Sequence, residues 1–119
     1  MPKKTVQETT TKEKVQVYET TAPLLSAMYR EVQELSKRKP DATLNANKVK
    51  LINRLLADIK EMLSNEPDSK YLDRIDDQDL PQYSDVVLIL SQYSAAMSRF
   101  EERYYRRDVG SVVKRWFTE

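Results

Sequence analysis

Apolar side chains recur at alternating steps of three and four residues between positions 83 and 107. The repeating positions are Tyr83, Val86, Leu90, Tyr93, Met97, Phe100 and Tyr104. This spacing places one apolar stripe along about seven turns of an α-helix. Residues 86–90 are apolar at every position, which predicts that this part of the helix is buried on all sides. We therefore expect the N-terminal half of this helix to form the centre of a bundle and the half from Ser91 onward to be buried on one side only.

Two earlier stretches with the same spacing predict two more helices. The first is expected to begin near Thr21, a residue type that caps helices, with Pro23 in its first turn and Pro40 after its end. The basic residues 37–39 suit the negative end of that helix. The second helix is expected over about residues 45–64, before Pro67. The apolar positions are Leu25, Met28, Val32 and Leu35 in the first helix and Val49, Ile52, Leu56, Ile59 and Leu63 in the second.

Short helical turns are expected before and after the long helix. Residues 66–85 are mainly acidic, and Tyr71, Leu72 and Ile75 among them predict one or two turns that pack on the bundle. The aspartates at 76–79 are expected to cap the long helix. Gly110 is the only glycine and fits the left-handed position that ends a helix, so one last helical turn is expected after it.

Residues 1–20 are predicted to form a flexible polar N-terminal arm, because their small apolar surface cannot offset the entropy of ordering. Residues 21–119 are predicted to form a single helical-bundle domain. An alternative for the arm is that residues 14–18 pair as a strand or dock on a partner, although a lone strand has no sheet to join.

These elements predict an all-α fold. The helices are expected to form a small antiparallel bundle of three main helices plus short helical turns. The chain has one glycine and five prolines, a composition that favours long helices over many short strands. Short links marked by proline favour neighbours that run up and down in turn.

The residue types narrow the chemistry of the chain. It has no histidine and no cysteine, which removes the commonest general base, the commonest metal ligand and the thiolate nucleophile. It also has no phosphate-binding glycine loop. We therefore expect a protein that is not an enzyme, with no catalytic residue, no metal, no cofactor and no small-molecule substrate. The acidic residues Asp73, Asp76, Asp77 and Asp79 lack the turn glycine and distal glutamate of an EF-hand loop, so we interpret them as caps and a solvated loop.

Charge and hydropathy bear on location. The net charge is +1, so no global field directs the chain to nucleic acid or to a membrane. The N-terminus lacks the apolar run of a signal peptide, and no stretch approaches the roughly 18 apolar residues of a membrane span. We expect a cytoplasmic protein without membrane contact.

Apolar surface in excess of what a small bundle needs suggests a protein interface. The long helix outreaches the other two, and the C-terminal end carries several large apolar side chains. This pattern predicts a non-catalytic interaction module, acting as a homo-oligomer or as a small subunit of a larger assembly. The residues expected at the interface are Val87, Ile89, Val112, Val113, Trp116 and Phe117.

Basic and aromatic residues near the C-terminus suggest an alternative, an accessory nucleic-acid-binding subunit. From Arg103 to Trp116 there are five basic residues and one acidic residue. Guanidinium groups would hold phosphates, and free rings would stack on bases. The competing interpretation is a solvated helix face, because Glu101 and Glu102 interrupt the cluster. The candidate contacts are Arg99, Arg103, Tyr105, Arg106, Arg107, Lys114, Arg115 and Trp116.

Overall fold

A computed structural model of the protein describes residues 8–119 and is mostly helical (63%). The predicted helical character is confirmed, but a small two-stranded sheet means that the fold is not purely all-α. The molecule is elongated, with principal extents of 54 × 27 × 26 Å. The elements are, in chain order, α1 (Lys12–Arg38), α2 (Ala46–Met62), a 3-10 helix (Pro67–Tyr71), α3 (Tyr83–Tyr104), β1 (Tyr105–Arg107) and β2 (Lys114–Trp116).

Helix α1 begins much earlier than the predicted start at Thr21. Thr11 is its N-cap, and the Thr11 hydroxyl accepts a hydrogen bond from the Lys14 backbone N–H at 3.2 Å. Most of the predicted flexible arm that is described here, residues 12–20, is therefore helical, and it forms no strand. The part of that prediction that concerns residues 1–7 lies outside the described residues. The predicted start is wrong because Pro23 marks no first turn and instead lies inside α1.

An interior proline is tolerated in α1 because Pro23 is on its solvent side. Proline has no N–H to donate to the carbonyl of Glu19, and both residues are exposed, so water can satisfy that carbonyl. On the opposite side, Thr21 is buried and its hydroxyl donates to the Val17 carbonyl at 2.7 Å. This bond satisfies the polar group of Thr21 without removing it from the core.

Helix α1 runs antiparallel to both α2 and α3, whereas α2 and α3 run in the same direction. One groove joins the first turns of α1 to the last turns of α2. Tyr18, near the start of α1, donates a hydrogen bond at 2.7 Å to Glu101, near the end of α3. The segments that lead into α2 and α3 pair side by side through a bridge between Thr43 and Gln82. The predicted up-and-down order is therefore wrong for α2 and α3, because the segment between them crosses back along the molecule.

Helix α3 supplies the central face of the core, as its spacing predicts. Val86, Leu90, Met97 and Phe100 are all buried against the other helices. The prediction that residues 86–90 are buried on all sides is wrong at Leu88, whose side chain is 65% exposed. Other buried residues of the core come from α1, from the link before α2, from α2 and from the segment before α3: Leu25, Val32, Leu44, Val49, Ile52, Leu56, Ile59, Met62, Leu63, Leu72 and Ile75.

The acidic segment between α2 and α3 forms the expected short helical turn, the 3-10 helix. Beyond it, Asn53 holds the backbone of buried Ile75, donating to the Ile75 carbonyl at 2.9 Å and accepting from its N–H at 3.2 Å. The aspartates at 76–79 do not cap α3, since Gln82 is the N-cap and Asp85 completes a capping box with it. Asp76 instead accepts a hydrogen bond within its own turn, from the Gln78 N–H at 2.8 Å.

The C-terminal segment forms a β-hairpin, and the predicted last helical turn is wrong. Helix α3 ends at Tyr104, and β1 pairs with β2 so that Tyr105 faces Trp116. Gly110 has the left-handed backbone expected of it (φ 78°), but it serves the hairpin turn and not a helix end. The hairpin instead pairs the aromatic residue of each strand, Tyr105 and Trp116, a contact that the helical spacing of the segment does not indicate. The final residues then lie beside the start of α1, where the Thr10 N–H donates to the Phe117 carbonyl at 3.0 Å.

Candidate functional site

The hairpin tip, residues 108–113, carries the most exposed large apolar side chains of the described chain. Val109, Val112 and Val113 are 93%, 85% and 68% exposed. Three valines in water on one short loop form an apolar patch that nothing within the described residues covers. Val112 and Val113 are among the interface residues predicted from the sequence, whereas Val109, next to the glycine expected to end a helix, is not.

The base of the hairpin is rigid because its rings pack on one another. Trp116 contacts Tyr18 of α1 edge-on, with centroids 5.1 Å apart, and lies 4.9 Å from Tyr105 across the sheet. Phe100 lies 5.6 Å from Tyr18 and 4.9 Å from Tyr104. Such ring pairs stabilise beyond their buried area. The hairpin tip is therefore presented from a fixed base.

The predicted protein-interface residues fall into two groups in the structure. Val112 and Val113 are exposed at the hairpin tip. Val87 and Ile89 of α3 and Trp116 of β2 are half-buried and pack against the core, and Phe117 is buried. The four residues of the second group are therefore used mainly within the chain.

Two of the candidate nucleic-acid contacts are turned inward. Arg103 Nη1 donates to Glu66 Oε1 at 2.8 Å, and the same carboxylate accepts from the Tyr104 hydroxyl at 2.9 Å. Arg106 donates to the Arg103 carbonyl at 2.7 Å and to the Glu8 carbonyl at 3.1 Å. The Glu66 carboxylate that neutralises Arg103 lies 37 residues away in the sequence, so local spacing could not reveal it.

The remaining candidate cations lie at the surface. Arg99 is 3.9 Å from Asp68, and Arg115 is 2.9 Å from Asp108. Arg107 and Lys114 face each other across the hairpin, and neither makes an ion pair within residues 8–119. Among the candidate contacts, these two cations are therefore the ones most available to pair with an external anion.

A shallow groove of about 570 Å³ joins the hairpin to α1 and α3. Tyr105, Lys114, Arg115 and Trp116, four of the candidate nucleic-acid contacts, line it together. Glu19 and Glu101 line the same groove and oppose the two cations. The groove is thus aromatic and of mixed charge.

The tyrosines of this region are held in their neutral form. Burial, followed by the hydrogen bond to Glu101, raises the pKa of Tyr18 above its ordinary value. Burial and the Glu66 carboxylate raise the pKa of Tyr104 to about 12. A phenol with a raised pKa is a poor nucleophile and a poor base at neutral pH, and both hydroxyls already donate to carboxylates.

A metal site, a membrane-spanning helix or a similarity to a known protein would each indicate a function. No group of carboxylates within residues 8–119 is arranged to hold a metal ion. Within the same residues, no helix is both long and apolar enough to cross a membrane. No protein-family model, curated protein or solved structure matches the chain.

Proposed function

We propose that the protein is a non-catalytic interaction module that contacts another protein through the hairpin tip, either as a homo-oligomer or as a small subunit of a larger assembly. The observation that carries this proposal is the exposure of Val109, Val112 and Val113 on one loop. Exposed apolar patches on small proteins mark interaction surfaces.

Burial of the hairpin-tip valines offsets the minimum cost of association but leaves little surplus for binding. Burying one valine side chain contributes about 1.5 kcal/mol, so three valines contribute roughly 4–5 kcal/mol. Association costs at least about 4 kcal/mol in lost translation and rotation, so the valines alone only balance it. Arg107 and Lys114 flank the tip and would supply the additional polar contacts at the rim.

The way in which the fold uses its aromatic rings also supports this assignment. Tyr18, Phe100 and Trp116 fix the hairpin to the bundle. The hairpin therefore loses little conformational freedom when it binds a partner. The tyrosine hydroxyls serve structural hydrogen bonds, and this favours a binding role over a catalytic one.

Sedimentation velocity over a concentration series tests the proposal. The wild type should sediment faster as concentration rises, and Val109→Thr/Val112→Thr/Val113→Thr should remain monomeric. Threonine keeps the β-branched shape, and the three positions lie outside β1 and β2, so the hairpin is retained while its apolar surface is lost.

A matched control replaces three exposed leucines on the helices, Leu24→Gln/Leu51→Gln/Leu88→Gln. This control should associate like the wild type. Loss of association in the control alone would show that the interface lies on the helices and not at the hairpin tip. A wild type that stays monomeric at the highest concentration would remove the homo-oligomer.

A second candidate function is nucleic-acid binding by the C-terminal segment. The observation that favours it is the common groove of Tyr105, Lys114, Arg115 and Trp116. Since Arg103 and Arg106 are engaged within the chain, the appropriate test replaces Arg107, Lys114 and Arg115 with Gln. A mobility shift at low salt should be lost in that variant, and an unchanged shift would exclude this surface.

A further inference from the structure

A second concave surface combines a basic rim with an apolar floor. It is a groove of about 410 Å³ between the outer side of α2 and the segment that follows the 3-10 helix, and we name it the α2 groove. The basic residues that line the α2 groove are Lys50, Arg54, Lys60 and Arg74.

The walls of the α2 groove are fixed by hydrogen bonds that leave its cations uncommitted. Asn53 is paired twice with the Ile75 backbone, and the Tyr93 hydroxyl donates to the Asp73 carbonyl at 2.9 Å. Leu56 and Tyr93 in its floor are almost completely buried. The shape of the groove is therefore set before any ligand arrives.

The charge of the α2 groove is not balanced within the chain. The lining residues include four cations and one carboxylate, Asp77, and the Asp73 carboxylate beside Tyr93 lowers the local net charge from +3 to +2, compared with +1 for the whole chain. Arg74 is 3.8 Å from Asp77, whereas Lys50, Arg54 and Lys60 make no ion pair within residues 8–119. Residues 1–7 contain no aspartate or glutamate that could supply one.

The acidic residues of α2 lie on a different surface. Asp58 and Glu61 line the groove between α1 and α2, so the charges of α2 are separated by side. Lys50 and Arg54 are one helical turn apart, and like charges at that spacing destabilise a helix. An arrangement that costs stability in the free protein is accounted for if an anion binds there.

The length of the basic rim favours a ligand with several phosphates in a row over a ligand with a single phosphate. Lys50 and Lys60 are ten residues apart on α2, which is about 15 Å along its axis. Phosphates follow one another about every 3.4 Å along the axis of each duplex strand, so the rim spans roughly four of them. We propose that the α2 groove binds the phosphodiester backbone of a nucleic acid.

The same groove has no means of reading sequence. Tyr93 is the single ring among its lining residues, and that ring is buried with its hydroxyl engaged. No base can stack on it, so binding is through phosphates and does not depend on sequence. This site is separate from the C-terminal segment and goes beyond the interaction module proposed above.

Fluorescence anisotropy with a short labelled DNA duplex of mixed sequence tests the proposal. The wild type should bind with a Kd of about 10⁻⁴–10⁻⁶ M, the range of contacts that do not read sequence, and more tightly at low salt. In Lys50→Gln/Arg54→Gln/Lys60→Gln, binding at low salt should weaken by at least about 10-fold. The slope of log K against log salt should flatten by about three units, one for each lost contact.

Two control variants separate the α2 groove from general charge. Lys12→Gln/Arg30→Gln/Lys39→Gln removes the same charge from exposed positions of α1 and its C-cap, and it should bind like the wild type. Lys50→Arg/Lys60→Arg keeps the charge and should also bind like the wild type. Circular dichroism should give all variants the same helix content.

Five results would overturn the proposal. Four of them are a wild type that does not bind at low salt, an unchanged salt slope in the groove variant, an equal loss in the α1 control, and a loss confined to the C-terminal variant. An acidic peptide that binds the groove more tightly than the duplex would also overturn it, because the ligand would then be a protein.

Discussion

Replacing Arg103 should destabilise the fold far more than replacing Arg99, although both lie on the same side of α3. The Arg103 side chain is 24% exposed and touches two carboxylates, Glu66 at 2.8 Å and Asp68 at 3.7 Å. Asp68 Oδ2 is buried and has no hydrogen-bond partner among the described residues, so Arg103 also balances that charge. Arg99 is 63% exposed and only 3.9 Å from Asp68.

The magnitude follows from this geometry. At 2.8 Å and an effective dielectric constant of about 20, the gross attraction between Arg103 and Glu66 is about 6 kcal/mol. Desolvation of the two ions offsets much of it, but Arg103→Met leaves the buried Glu66 carboxylate with Tyr104 as its remaining donor. We expect a loss of about 3 kcal/mol in the free energy of unfolding, at the lower end for a broken buried pair because Arg103 keeps some solvent contact. Arg99→Met should cost less than about 1 kcal/mol.

Urea denaturation followed by circular dichroism measures both losses. Adding Glu66→Gln to Arg103→Met should recover part of the stability, because it removes the uncompensated buried charge. Equal losses in the two arginine variants, or no recovery in the double variant, would refute this reasoning.

Two further predictions concern Asn53 of α2 and the buried tyrosines of α3. Asn53→Ala should lower the free energy of unfolding by about 2 kcal/mol in urea denaturation, because it leaves the buried N–H and carbonyl of Ile75 unpaired, whereas Asn47→Ala at an exposed position of α2 should cost nothing. Stability should also fall between pH 10 and about 12. Burial raises the pKa of Tyr93 and of Tyr104 to about 12, so over this range the unfolded chain loses protons that the folded chain keeps. A urea midpoint that does not change across this pH range would contradict the raised pKa of Tyr93 and of Tyr104.

The sequence predicts α2 and α3 well because their boundaries have local causes. Asn45 caps α2 through its side chain, and proline follows near its end. The start of α1 was missed because its first turns are held by distant contacts. Tyr18 packs on Phe100 and Trp116, which no local pattern indicates. Propensity and spacing describe one segment at a time, whereas these contacts arise only on folding.

Contacts between distant residues also explain why the sequence indicates only part of the candidate site. The exposure of Val112 and Val113 agrees with their place in the interface prediction, and the burial of Phe117 depends on a hairpin that returns to the start of α1. The basic residues of the C-terminal segment looked available in the sequence. Glu66 and the Glu8 carbonyl engage two of them across 37 and 98 residues.

A spin label at the hairpin tip tests the proposed interface most directly. The chain has no cysteine, so Val112→Cys and a control, Ser98→Cys on the exposed side of α3, each provide one labelling site. We predict that the label at position 112 loses mobility as protein concentration rises while the label at position 98 stays mobile. A label at 112 that remains equally mobile at every concentration, or one at 98 that is immobilised instead, would contradict contact through the hairpin tip.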